Sequence, residues 1–147
     1  MAKTIKNSGL NVTITVESWT PEIKAALDNA VARALLAIGE RAEGHARDIV
    51  VDAGRVDTGN LQTSITHREG DDFTAIGTNV KYAIYHEVGT GIYASQGGGR
   101  KTPWWYKDAK GEWHVTRGVK PLHFLTKAVT ENADEYKQLI KDSLENA

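Results

Sequence analysis

The start of the chain alternates between apolar and polar residues. Leu10, Val12, Ile14 and Val16 fall on one side of an extended chain, and the residues between them are polar. This alternation predicts a strand with one buried face. Residues 1–9 are polar, small and without a period, which predicts a flexible N-terminal arm.

A long segment of helical periodicity follows the strand. Thr20, Pro21 and Glu22 form a typical helix start, with Thr20 as the N-cap, and Gly54 is a suitable end. Between them one apolar stripe recurs at steps of three and four residues: Ile23, Leu27, Ala30, Val31, Ala34, Leu35, Ile38, Ala42, His45, Ala46 and Ile49. We expect a helix of about thirty residues, roughly 45 Å long. The apolar stripe of this helix is expected to pack either on a sheet or, in part, on another subunit.

The second half of the chain predicts two hairpins and a closing helix. Residues 64–68 and 73–78 are strands joined by a tight turn, so they are antiparallel. A second hairpin starts at Trp104, turns at 108–111 and returns over 112–117. Pro121 is predicted to open the closing helix. The fold class is therefore α+β: a small antiparallel sheet of about five strands, packed against one long N-terminal helix and a C-terminal helix. Residues 10–147 form a single domain.

Composition is that of an ordinary globular domain. The 147 residues are enough to bury a core, and the net charge of −1 gives no general attraction to nucleic acid or to acidic membranes. Any such contact has to come from a local patch. Cysteine is absent, which excludes disulfides and thiolate chemistry. No signal-peptide core or apolar run of about 20 residues is present, so we expect no membrane partner.

One triplet suggests an enzyme. Asp57-Thr58-Gly59 matches the active-site triplet of aspartic proteases. That chemistry needs two aspartates sharing one proton, so a single copy would require a homodimer. A long helix precedes the triplet, where an all-β protease would have strands, and Asp57 or Thr58 can instead cap a short helix through Leu61 and Thr63.

Other motifs for chemistry are incomplete. Residues 89–94 fit a dinucleotide-binding pattern, but the glycine-rich residues that follow cannot form the required helix. His45, His67, His114 and His123 lack metal-ligand spacing. We therefore predict no catalytic, cofactor-binding or metal-binding residues.

A series of short phrases between about residues 50 and 130 is more specific. The phrases are Val56 to Leu61 with Ser64, residues 76–80 with Tyr82, Glu87-x-Gly89-Thr90, a glycine-rich loop ending in Arg100 to Trp104, and Gly118-x-x-Pro121-x-x-Phe124. In this order and spacing, the chain resembles the minor head–tail joining proteins of long-tailed bacteriophages, also called tail completion or neck proteins. The family positions are Val56, Asp57, Thr58, Gly59, Leu61, Ser64, Tyr82, Glu87, Gly89, Thr90, Pro121 and Phe124.

The resemblance implies a structural subunit of the virion, without enzymatic activity. Such proteins form a ring, with six subunits expected, where the DNA-filled head meets the tail. The implied partners are further copies of the chain, head-completion or connector proteins, and a tail-tube or tail-terminator protein. The protein would be made in the cytoplasm of the bacterial host and end in the virion. A tail-terminator or minor capsid protein is the alternative that the sequence separates least well.

Candidate contact residues lie in and after the glycine-rich loop. Residues 89–103 contain five glycines together with Arg100 and Lys101, so we predict a flexible loop that lines the DNA channel, contacts a neighbouring subunit or stays mobile at the surface. Trp104 and Trp105 begin an aromatic cluster, and aromatic residues are enriched at interfaces. Stacking on nucleic acid is less favoured because the charge is near neutral and no basic stripe accompanies these residues.

Overall fold

The computed structural model of this chain describes residues 2–7, 10–15, 20–55, 59–108 and 110–147, with side chains from residue 20 onward. The strands are β1 Ala2–Asn7, β2 Leu10–Thr15, β3 Thr66–Glu69, β4 Thr74–Gly77, β5 Trp104–Lys107 and β6 Trp113–Thr116. The helices are α1 Pro21–Asp52, α2 Asn60–Ser64, α3 Ala83–Val88, α4 Phe124–Thr130 and α5 Ala133–Glu145. The predicted α+β class, with a long N-terminal helix and a C-terminal helix, is confirmed.

The β-structure of the described residues is divided among three hairpins, where the sequence predicted one sheet of about five strands. β1 pairs with β2, β3 with β4 and β5 with β6, all antiparallel. Residues 2–7, predicted as part of a flexible arm, form strand β1 instead. It pairs with β2 from Ala2 opposite Thr15 to Asn7 opposite Leu10. The hydrogen bonds between β1 and β2 join backbone groups, so the polar composition of residues 2–7 does not prevent the pairing.

Helix α1 begins and ends as predicted. Thr20 Oγ1 accepts a hydrogen bond from Ile23 N at 3.2 Å, and Gly54 follows the helix with a φ of +72°. The helix packs against α4, α5 and the β3–β4 hairpin. These elements cover a stripe that is buried over most of the helix: Leu27, Ala30, Val31, Ala34, Leu35, Ile38, Gly39, Ala42, Ala46 and Val50. The chain therefore covers most of this face itself.

A glycine allows the β3–β4 hairpin to approach α1 closely. A Cβ on Gly39 would lie 2.7 Å from His67 Cδ2 and 2.7 Å from Thr74 Oγ1. Gly44, five residues further along the same helix, has open space at the Cβ position. Gly39 is thus required by packing, although a glycine inside a helix costs backbone entropy.

The C-terminal region forms two helices, where one continuous helix from Pro121 was predicted. The chain leaves α4 at Glu131 and enters α5 after Asn132. The side chain of Asn132 donates to the Ala128 carbonyl at 3.1 Å, and the buried Tyr136 hydroxyl donates to the same carbonyl. Burial, together with the nearby Glu135, raises the pKa of Tyr136 to about 12. These bonds stabilise the break between the two helices.

Candidate interaction surface

Glu87 joins α3 to α4. Its carboxylate accepts hydrogen bonds from Leu125 N at 2.9 Å, Thr126 N at 3.1 Å and Thr126 Oγ1 at 2.7 Å. The first backbone N–H groups of a helix have no partner within the helix, so an acidic side chain there serves as a cap and also meets the positive end of the helix dipole. The backbone of Glu87 accepts from His123 N as well, at 3.1 Å. This pairing explains why α4 starts at Phe124 and not at Pro121.

The first of the sequence phrases leads into α2. Gly59 has a φ of +74° at the N-cap position of this helix, Leu61 is buried, and the Ser64 hydroxyl is 2.6 Å from Thr78 Oγ1. Ser64 Oγ also donates to the Leu61 carbonyl at 2.7 Å. These residues position α2 and the segment after β4. Residues 56–58, which include the triplet aspartate and the two predicted caps, lie outside the described residues.

The glycine-rich loop is anchored along its first part, where the sequence predicted flexibility over 89–103. Thr90 N donates to the Val119 carbonyl at 2.9 Å, and Val119 N donates to Thr90 Oγ1 at 2.8 Å. A Cβ on Gly91 would lie 1.9 Å from the Arg117 carbonyl oxygen, and one on Gly118 would lie 2.0 Å from the Thr90 carbonyl oxygen. Two backbone segments therefore cross at a distance that only glycine permits.

His86, next to the capping glutamate, contacts an arginine. Its Nδ1 lies 3.4 Å from Arg55 Nη1, and Arg55 Nη2 donates to the Lys120 carbonyl at 2.7 Å. Burial and, second, the charge of Arg55 lower the pKa of His86 below its ordinary value. Burial also lowers the pKa of Arg55. The folded state therefore favours the neutral form of the His86 imidazole.

The four predicted contact residues fall on different parts of this region. The Arg100 guanidinium lies 5.6 Å from the centre of the Trp104 ring, and its Nε donates to Thr102 Oγ1 at 3.1 Å. Lys101 is exposed. Trp104 is half-buried beside the loop, whereas Trp105 is 68% exposed. The structure brings Arg100 and Trp104 together and directs Trp105 to the other face of the hairpin.

The register of the β5–β6 hairpin defines that other face. Trp105 lies opposite Val115, and Lys107 lies opposite Trp113. Side chains on directly paired residues share one face of a sheet, and so do residues two apart along a strand. Trp113 is 64% exposed and Val115 is 57% exposed. The sequence prediction missed Trp113 and Val115, although the alternation of residues 113–116 after a tight turn could have identified them.

A cluster at the hairpin turn resembles a metal site but serves the turn itself. Ligand atoms of Asp108, Glu112 and His114 lie within 4.8 Å of one another. Asp108 Oδ1 accepts from the backbone N–H groups of Lys110 and Glu112 at 2.9 and 2.8 Å, and Oδ2 lies 2.7 Å from His114 Nε2. These bonds, the His114 contact first, lower the pKa of the Asp108 carboxyl. Both carboxylate oxygens are already engaged in closing the turn.

An apolar groove of about 420 Å³ lies between α3 and the glycine-rich loop. Ile84, Tyr85 and Val88 form one wall, and Trp104 and residues 96–100 form the other. Ile84 and Tyr85 are both more than half exposed. Sequence reasoning missed this surface because it did not predict α3, a helix of only six residues.

The chain matches no protein-family model, no curated protein and no solved structure. Among the described helices, none combines the length and the apolar character needed to cross a bilayer.

Proposed function

We propose that this protein is a structural subunit of a tailed-bacteriophage virion that joins the DNA-filled head to the tail as part of a ring. The observation that carries the proposal is the ordered series of sequence phrases between about residues 50 and 130, which resembles the head–tail joining proteins. The expected partners are copies of the chain, a head-completion or connector protein, and a tail-tube or tail-terminator protein. The ring would have six subunits and reside at the head–tail interface.

The roles of the family positions in the structure support this proposal. Glu87 caps α4, Thr90 pairs with the segment before that helix, and Phe124, the first residue of α4, is fully buried. Gly89 has a φ of +79°, and a Cβ there would lie 2.9 Å from Pro121 Cδ. Each of these residues contributes to the geometry of the framework. A protein that acts by presenting surfaces needs such a framework and does not need chemistry at these positions.

The surfaces that stay exposed in the folded chain support a role in assembly. The β5–β6 hairpin, the groove beside α3 and the cations Arg100 and Lys101 are all exposed in the single chain. Subunits of a ring contact one another through two different patches, so each copy needs two unlike surfaces. We expect the purified protein to be monomeric or weakly associated, and to close its ring on its partner in the particle. A stable closed ring in sedimentation at micromolar concentration, without a partner, would contradict that expectation.

The test is electron microscopy of particles from a phage that carries an early stop codon in this gene. Filled heads and separate, otherwise complete tails are expected, and supplying the wild-type gene in trans should restore joined particles. Heads and normal-length tails that still join would contradict the proposal. Tails of abnormal length would favour a tail terminator, and damaged heads would favour a minor capsid protein.

The same experiment tests the protease alternative. Uncleaved head proteins and a lack of filled heads would point to processing by the Asp57 triplet. In that case the Asp57→Asn variant should fail to complement the stop mutant. The joining role predicts that Asp57→Asn complements the stop mutant, because joining requires no chemistry at Asp57.

A further inference from the structure

One face of the β5–β6 hairpin combines aromatic and cationic side chains. Register places Trp105, Lys107, Trp113 and Val115 on it. Arg117 lies next to Val115, with which it lines a shallow hollow. We refer to these five residues as the aromatic face. It contains no acidic residue, and the Lys107 ammonium lies 5.9 Å from the centre of the Trp113 ring.

This hairpin has little support from the rest of the described chain. β5 and β6 pack chiefly on each other and make no extensive contact with another helix or strand. A two-stranded hairpin alone is at best marginally stable in water. Two tryptophans that are each more than 60% exposed are also unusual outside binding surfaces. The aromatic face therefore has the properties of a surface that a partner covers.

A second surface has the complementary charge. The turn between β3 and β4 carries Asp71, Asp72 and Phe73, which we refer to as the acidic turn. Neither aspartate makes an ion pair or a hydrogen bond with another residue that the structure describes. Phe73 is 42% exposed, with its ring above Gly70. Arg68 and Glu69, just before the turn, cancel in charge.

We propose that the aromatic face of one copy of this chain docks onto the acidic turn of the next copy. The inference rests on the proposed function, because a ring requires a contact between two unlike patches. Lys107 and Arg117 match Asp71 and Asp72 one for one, and Phe73 supplies an aromatic ring for the exposed tryptophans. The charge matching sets the orientation of neighbouring copies, and the aromatic contact supplies the apolar burial.

Nucleic acid fits the aromatic face less well than a second copy does. Tryptophans with cations can stack on single-stranded bases, but binding to the phosphate backbone depends on the number of cations that neutralise it. This face offers two cations, in a chain whose net charge is −1. The two aspartates of the acidic turn on a neighbouring copy are enough to neutralise both cations.

Charge reversal in phage particles tests the contact. The stop-mutant phage is complemented with the double variant Asp71→Lys/Asp72→Lys, with Lys107→Glu/Arg117→Glu, or with all four changes together. Each double variant places like charges opposite one another, so the yield of joined particles should fall by about 100-fold. The quadruple variant restores opposite charges with their positions exchanged and should recover most of that loss. Circular dichroism of each purified variant confirms that it folds.

Cross-linking tests the same contact directly, since the chain has no cysteine of its own. Ala75 is exposed next to the acidic turn, Val115 is exposed on the aromatic face, and both are uncharged. In joined particles, the double variant Ala75→Cys/Val115→Cys treated with a short bifunctional maleimide should give a ladder of linked copies. Each single variant should give no linked copies, because a contact between unlike patches never brings two identical positions together. A Val115→Cys/Lys141→Cys variant, with its second cysteine on α5, serves as the control for random linkage.

The outcomes separate this contact from the joining role itself. Joined particles without a ladder, or unaffected by charge reversal, would overturn the proposed contact and leave the joining role intact. A third outcome is that Lys107→Glu/Arg117→Glu abolishes joining, that the quadruple variant does not restore it, and that no ladder forms. This outcome would overturn the proposed contact and would assign the aromatic face to another partner, DNA included. If the stop mutant itself forms joined particles, the joining role fails first.

Discussion

The carboxylate of Glu87 should be worth more to the stability of the fold than an exposed glutamate on a helix. It accepts hydrogen bonds from two backbone N–H groups and one hydroxyl at the start of α4, and these groups lie 38 and 39 residues away in sequence. Replacing Glu87 with alanine removes both acceptor oxygens and therefore all three hydrogen bonds. The cap holds α4 against α3, so its loss weakens the packing between these two helices.

The loss of stability in Glu87→Ala depends on how deeply the hydrogen-bond donors of Leu125 and Thr126 are buried. The N–H group of Leu125 is partly buried, whereas Thr126 is exposed and can turn to water. Leaving a buried donor unpaired costs about 1–3 kcal/mol, and loss of a helix cap costs typically about 1 kcal/mol. We expect Glu87→Ala to lower the free energy of unfolding by about 2–3 kcal/mol, or the Tm by roughly 4–10 °C. Glu87→Gln keeps one acceptor oxygen and should lose about half as much.

The assay is urea unfolding followed by far-ultraviolet circular dichroism at neutral pH. The matched controls are Glu40→Ala and Glu40→Gln, because Glu40 is an exposed residue on α1. Their effects should stay within about 0.5 kcal/mol of the wild type, as is usual for surface substitutions. If the Glu87 variants were no less stable than the Glu40 variants, the capping role would be refuted.

Three further predictions follow from single positions. Gly91→Ala should destabilise the protein by more than about 3 kcal/mol or prevent folding, because its Cβ would meet the Arg117 carbonyl. Gly97 also has a positive φ but has open space, so Gly97→Ala should cost about 1 kcal/mol in urea unfolding. Equal effects would contradict the proposed backbone crossing. In α1, Gly44→Ala should stabilise by about 0.5–1 kcal/mol and Gly39→Ala should destabilise, so a stabilising Gly39→Ala would contradict the close packing of the β3–β4 hairpin on α1. The lowered pKa of His86 means that the unfolded chain binds the proton more tightly, so stability should fall as the pH drops below the ordinary value of 6.5. His86→Gln should reduce that loss in urea unfolding between pH 7.5 and 5.5, and an unchanged slope would contradict it.

Sequence patterns predicted the elements that depend on local signals. Thr20 and Gly54 mark the ends of α1 because caps and helix ends are set by neighbouring residues. The β3–β4 hairpin was predicted within two residues at each boundary because its turn is short. These signals involve residues only a few positions apart.

The features that were missed depend on residues far apart in sequence. The break between α4 and α5 is stabilised by Tyr136 and Asn132 bonding to one carbonyl, within a stripe that reads as a continuous helix. The start of α4 is set by Glu87, and a pattern search cannot assign a glutamate to a helix that begins 37 residues later. Gly91 was expected to confer flexibility, but its lack of a side chain allows two distant segments to cross.

The positions of the tryptophans give this protein an unusual optical property. Three of its four tryptophans, Trp104, Trp105 and Trp113, lie on the β5–β6 hairpin, and the described helical core contains none. The fluorescence of these three tryptophans therefore reports on the hairpin and responds only weakly to melting of the core. An emission that shifts to shorter wavelength on mixing with a partner would signal that water has left the aromatic face, without any added label.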